Sequence, residues 1–401
     1  MRSNPLDQFA QLTIIPEGDE FVVGNAEGQT FVVVPIIGAQ ILGWLRAGAT
    51  VDQCTVRATR LTGEPVNVVE FLDTLTSENI LSEVRDVGPP RASWLLPIAR
   101  ATFSAPAWAV YLGLALMGSV LLVTRADLRP GSDDMVIGSS AIGSLLMLTA
   151  SATVLTLLHE LGHVLAAVKH GISSTLTISR RLFFVTAQAD LTGLWSLPRR
   201  SRYGPLLAGM AWDAASVGLL LGLETWRSDG LPDLARQLLR AAVLVQISAL
   251  AYQCAVFART DLYAVLRVAT GTIQLNAVKT AVLGTLLGRT TEEDRLLLAS
   301  TPRRELTWAR RYLGLYLVGM VGAGWYLLSV TLPGLLGVIR LAHHSIASST
   351  PHQLEFYEGW TAVVTITVPT IWAIGAGGVA TVRAIRGPEQ TPIPRAGARR
   401  S

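Results

Sequence analysis

Apolar residues follow two different rhythms along the chain. In residues 1–95 they come in short runs at 12–15, 20–23 and 30–34, set apart by Gly18, Gly24 and Gly28. Short alternating runs between glycines predict strands joined by tight turns. The spacing then becomes helical. Pro35 opens a first helix, Ile37, Ile41, Leu42 and Leu45 share one face, and Gly48 closes it. Thr50 with Gln53 forms a capping box for a second helix. Asn67 with Glu70 caps a third, which carries Val68, Phe71, Leu72 and Leu75. A small sheet followed by three short helices predicts an α+β, winged-helix-like module over residues 1–95.

Beyond Gly88-Pro89-Pro90, which reads as a linker, the pattern changes to long apolar stretches at 105–124, 138–168, 204–223, 238–258, 313–338 and 359–382. Each is long enough to span a bilayer, which takes about 20 apolar residues. The second exceeds one span and is expected to tilt or run past the interface. Residues 96–386 therefore read as a transmembrane domain of about six helices, with its core at 138–275. The Pro- and Arg-rich tail 387–401 reads as disordered and basic. The expected fold class is an α-helical polytopic membrane protein with a small N-terminal cytosolic domain.

Composition agrees. Half the 401 residues are hydrophobic and 15% are charged, against about 25% charged in soluble domains, which excludes a disordered chain. Two cysteines, Cys54 and Cys254, exclude a disulfide scaffold or a cysteine zinc cage. The net charge of +4 fits an excess of Lys and Arg on the cytoplasmic side. Segments 169–203, 259–312 and the tail are rich in Arg, whereas 125–137, 224–237 and 339–358 are poor in it. The expected location is the cytoplasmic (inner) membrane with both termini inside. The first thirty residues contain no apolar core of a signal peptide. Residues 1–95 carry no basic helix face with stacking aromatics, so no nucleic-acid partner is expected.

The second apolar stretch ends in His159-Glu160-Leu161-Gly162-His163. On a helix the i, i+4 spacing places both imidazoles on one face, where they can share a metal ion. Glu160 lies beside them, where a carboxylate can take a proton from water. Two imidazoles and an oxygen ligand suit Zn2+ with an open fourth position. Ionisable groups inside an apolar span point to function. A third ligand must come from the same depth. Asp261, at the end of the fourth stretch, meets that condition. Asp213 lies about nine residues into the third, some 13 Å by helical rise, and competes with it. Asp190, in the intervening segment, is a weaker candidate.

This pattern resembles the site-2 protease family of membrane-embedded zinc metalloproteases. The resemblance covers about residues 105–275. It rests on His159-Glu160-Leu161-Gly162-His163, Ala166 to Gly171, Arg202, Ala208-Gly209, and the segment from Gln253 to Tyr263, which looks like the family's Asn-x-x-Pro stretch leading to Asp-Gly. It implies that Asp261 is the third metal ligand and Glu160 the catalytic carboxylate. Gln253 stands where the family often has Asn, Val256 where it has Pro, Leu262 where it has Gly, and Met210 where Pro follows Ala-Gly.

The N-terminal module resembles a second family, the small peptide chaperone of pyrroloquinoline quinone biosynthesis. The resemblance runs through Phe21-Val22-Val23, the stretch from Phe31 to Pro35, the stretch from Gly38 to Leu42, Leu45, the stretch from Gly48 to Val51, and the stretch from Glu70 to Leu75. It implies capture of a leader peptide as an added strand. Together these readings imply a zinc metalloendopeptidase acting on a ribosomally made precursor peptide, or on a membrane-associated peptide held by residues 1–95. Its partners would be the peptide or membrane-protein substrate and the lipid bilayer. Two alternatives share most of the features: cleavage of a membrane-anchored regulator, and a non-catalytic peptide-binding scaffold or immunity protein.

Overall fold

The computed structural model describes residues 9, 12–17, 20–25, 30–81, 93–181, 184–227, 230–272 and 274–384. The linker around Gly88-Pro89-Pro90 and the tail 387–401 lie outside them. Strands β1 (Leu12–Glu17), β2 (Glu20–Asn25) and β3 (Thr30–Pro35) form an antiparallel sheet in the order β1-β2-β3. Ile14 faces Val23 across one ladder and Val22 faces Val33 across the other. A Cβ at Gly24 would lie 2.3 Å from the Thr30 carbonyl oxygen, so only glycine fits the register there.

Three helices follow as expected: α1 (Ile36–Arg46), α2 (Val51–Thr62) and α3 (Val68–Ser77). Both predicted caps form. Thr50 and Gln53 exchange side-chain and backbone hydrogen bonds, and Asn67 Oδ1 accepts from the Glu70 amide at 3.1 Å. The sheet and helices enclose one core that includes Val22, Val32, Val34, Ile41, Leu42, Cys54 and Leu75, all buried.

The rest of the described chain is almost wholly helical. In order come α4 (Leu96–Thr102), α5 (Ala105–Thr124), α6 (Ala141–Lys169), a hairpin of β4 (Leu176–Arg181) and β5 (Phe184–Ala189), α7 (Arg199–Trp226) and α8 (Asp233–Gln253). Then follow α9 (Asp261–Thr270), α10 (Leu275–Leu286), α11 (Glu292–Ser300), α12 (Arg303–Tyr326), α13 (Leu332–Ser348) and α14 (Leu354–Ala384). Among the described residues, five helical runs are long and apolar enough to cross a membrane: α5, α6, α7, α8 and the continuous run Arg303–Ser348.

Several boundaries differ from expectation. The fourth apolar stretch stops being helical at Gln253, not at 258, and Asp261 starts a new helix. The fifth belongs to a 46-residue rod, about 69 Å long, more than twice a bilayer core. A π-turn at Leu327–Thr331 precedes Pro333 and absorbs the backbone bond that proline cannot make. His343 and His344 stand on helix α13. The sixth stretch falls on α14, much of whose side-chain content lies outside the described residues. The segments expected as inside loops contain the β4–β5 hairpin and helices α9 to α11.

Helix α7 is the hub, packing against α5, α6, α8 and α9. Its glycines allow this. A Cβ on Gly218 would lie 2.0 Å from the Leu114 carbonyl oxygen, and one on Gly118 would lie 2.9 Å from Gly218 Cα. Small residues at a crossing let helix backbones meet where apolar surroundings supply no hydrophobic drive. The N-terminal sheet sits on the turn Thr192–Ser196, just ahead of α7, and Trp195 packs against its core. Glu17 of β1 is ion-paired with Arg202 of α7 at 2.5 Å, both of them almost fully buried.

Candidate metal centre

His159 and His163 lie one turn apart on α6, and both are buried. Their far nitrogens are fixed. His163 Nδ1 is 2.7 Å from the Pro205 carbonyl oxygen. A carbonyl can only accept, so Nδ1 donates, and in the neutral imidazole Nε2 is then the nitrogen that offers a lone pair. His159 Nδ1 is 2.7 Å from Asp213 Oδ2, whose other oxygen accepts from Gln246 Nε2 at 3.4 Å. Each imidazole is thus oriented from behind by an acceptor, the arrangement that holds metal-binding histidines in place.

The near nitrogens converge with one carboxylate oxygen. His159 Nε2 and His163 Nε2 are 3.0 Å apart, and Asp261 Oδ2 lies 2.9 Å from the first and 3.1 Å from the second. Among the described residues, His159, His163 and Asp261 form a group that could hold a metal ion. The fit is chemical as well as spatial. With both imidazoles neutral and Nδ1-protonated, three lone pairs would face one another at 3 Å, and a cation among them would relieve their repulsion. The edges are close to the edge of about 3.3 Å of a tetrahedron with bonds near 2.0 Å. Gly209 supplies the cradle. A Cβ there would lie 2.6 Å from His159 Nε2 and 2.7 Å from His163 Nε2. At Gly162 a Cβ would lie 3.3 Å from the Ala208 carbonyl oxygen, so α6 and α7 close up at the same level.

The structure brings Asp261 to the imidazoles and puts the other two candidates elsewhere. Asp213 faces the back of His159, and Asp190 Oδ1 accepts from the Thr192 amide. Asp213, Pro205 and Gly209 thus have roles that helical spacing did not assign. The available signal was Asp213 itself, an ionisable group inside an apolar stretch that needs a partner there; nothing in the sequence marked these roles for the Pro205 carbonyl or Gly209.

The Oε2 of Glu160, also on α6, accepts from the Ala189 amide at 2.7 Å, at the end of β5. A cavity of about 660 Å³ joins these groups. Its wall includes His159, Glu160, His163 and Asp261 at one end and Trp195, Arg202 and Arg267 toward the N-terminal domain. Arg202 and Arg267 both stack on the Trp195 ring, at 4.7 and 5.3 Å. No family model, curated protein or solved structure matches this chain.

Proposed function

We propose that this chain is a membrane-embedded zinc metallopeptidase. The observation that carries the reading is the meeting of His159 Nε2, His163 Nε2 and Asp261 Oδ2 within 3.1 Å of one another, in a cavity that Glu160 also lines. Exposed apolar surface supports the membrane setting: Leu112, Val123, Val318 and Val321 are all more than 60% exposed. A water-soluble chain does not leave rows of such side chains uncovered. The Lys and Arg distribution supports a cytoplasmic N-terminal domain and C-terminus in the inner membrane.

Zinc, when bound, would polarise the scissile carbonyl and make water acidic enough to deprotonate near neutral pH. The remaining work falls to the chain. Glu160 would take the proton of the attacking water on its carboxylate and hand it to the leaving amine. Asp213 and the Pro205 carbonyl would keep the two Nε2 atoms aimed. The substrate must be extended to expose its carbonyl, so a helical segment would have to unwind. We assign as substrate a ribosomally made precursor peptide or a membrane-associated peptide. The seat of the N-terminal sheet at the Trp195 end of the cavity supports this, as do its β1 and β3 edges. A peptide held on that sheet would reach the cavity at high effective concentration.

Elemental analysis of the detergent-purified chain tests the reading. About one zinc per chain is expected, lost in His163→Ala and weakened in Asp261→Asn. Glu160→Gln should keep the metal and abolish peptide hydrolysis. Metal retained with hydrolysis unchanged in Glu160→Gln would remove catalysis from the role. A folded wild type with no stoichiometric metal would overturn the proposal.

A further inference from the structure

We infer that Gln253 is a positioning residue for Asp261, fixing the carboxylate oxygen that faces the two imidazoles. The inference rests on the reading of His159, His163 and Asp261 as metal ligands.

Asp261 is the first residue of α9, and the chain reaches it through a break. Helix α8 ends at Gln253, a short turn covers Val256–Ala258, and Arg259 adopts the left-handed conformation with φ +58°. A helix start leaves backbone N–H groups without partners inside the helix. Thr260, in the capping position, does not cap with its hydroxyl, which donates instead to the Gln253 carbonyl oxygen at 2.7 Å. The Gln253 side chain takes over. Its Oε1 accepts from the Asp261 amide at 3.1 Å, and its Nε2 donates to Asp261 Oδ2 at 3.0 Å. That Oδ2 is the atom shared with both imidazoles.

The two bonds fix the orientation of the amide, because an N–H requires an acceptor and a carboxylate requires a donor. A primary amide offers both on one rigid plane, so a single side chain locks the backbone and the carboxylate of Asp261 together. Glutamate at 253 would keep an acceptor for the Asp261 amide but lose the donor. Methionine would keep the bulk and lose both. The break does not depend on Gln253 alone, since Tyr312 on α12 donates to the Val256 carbonyl oxygen at 2.9 Å. Substitutions at 253 therefore disturb Asp261 while the turn stays pinned.

The test uses the full chain in detergent micelles. Zinc affinity is measured by competition with a chromophoric chelator, and the visible spectrum is recorded after loading with Co2+. Gln253→Met and Gln253→Glu are each expected to weaken zinc binding roughly 10- to 100-fold, the usual effect of losing a group that orients a ligand. Their Co2+ spectra should shift from wild type. The metal-free unfolding temperature of Gln253→Met, which adds no charge beside Asp261, should stay near wild type, which separates positioning from a general structural role. Either variant binding zinc as tightly as wild type, with an unchanged Co2+ spectrum, overturns the inference and leaves the ligand set standing. A wild type that takes up no zinc overturns the ligand reading itself.

Discussion

A missing side chain makes room at the centre. Gly209→Ala would place a methyl group 2.6 Å from the His159 ring, so the alanine variant is expected to lose bound zinc. Overfilling of this kind costs about 1–3 kcal/mol. Gly113→Ala, where a Cβ meets nothing within 4 Å, should leave metal content unchanged. Both are read by elemental analysis. Asp213→Asn removes the charge behind His159 and should weaken zinc affinity roughly 10- to 100-fold, measured by chelator competition. The cysteines give an independent probe of the N-terminal core. Cys54 is buried, and burial pushes its thiol pKa up, while Cys254 is exposed. A maleimide should label one cysteine in the folded chain and two after denaturation. The folded domain holds the Cys54 proton more tightly than the unfolded chain does. Its contribution to stability is therefore full below about pH 8.5 and falls as pH rises further. At this scale the His-Glu-x-x-His segment was legible because helix period alone puts its two imidazoles together. The contact of Asp213 with the back of His159 was not, because it depends on how α7 is rotated against α6.

Between elements, α5 and α7 cross backbone against backbone at Gly118 and Gly218. Gly218→Leu would drive a side chain into the Leu114 backbone, which cannot swing aside as a side chain can. The expected outcome is a lower unfolding temperature in detergent together with lost zinc, because α7 also carries Gly209, Asp213 and the Pro205 carbonyl. An unchanged melting temperature would mean that α5 is only loosely held. Elements with strong local signals were legible: the three strands between glycines, the Thr50 box, the Asn67 cap and the long apolar helices. The short helices α9 to α11 were not. Their apolar positions are interleaved with Asp261, Arg267, Lys279 and Glu292, and that mixture reads as a charged loop until α12 covers one face. The break at Gln253 was equally hidden. Apolar residues continue through Cys254, Ala255, Val256 and Phe257, and neither proline nor glycine marks the stop.

For the whole molecule, the question is whether the N-terminal domain is merely tethered or forms part of the cavity's frame. The buried pair of Glu17 and Arg202 argues for the second. Arg202 lies one helical turn before Pro205, whose carbonyl holds His163. Arg202 also stacks on Trp195, which carries Arg267 of α9, the helix that begins with Asp261. The sheet is thus linked through Arg202 and Trp195 to α7, whose Pro205 carbonyl meets His163, and to α9, which begins with Asp261. Truncating one partner of a buried ion pair leaves the other charge stranded, at a cost of about 3–5 kcal/mol, whereas replacing both by apolar residues of similar size is often close to neutral. Glu17→Ala is accordingly expected to lower the unfolding temperature and to reduce zinc retention at a fixed chelator concentration. The double variant Glu17→Leu, Arg202→Met should recover most of both. Calorimetry and metal analysis on the same preparations read the two effects together. If Glu17→Ala loosens the domain and leaves zinc untouched, the centre stands on the long apolar helices alone. Zinc that falls with Glu17→Ala and returns in the double variant would mean that whatever docks on the sheet can be felt at the imidazoles.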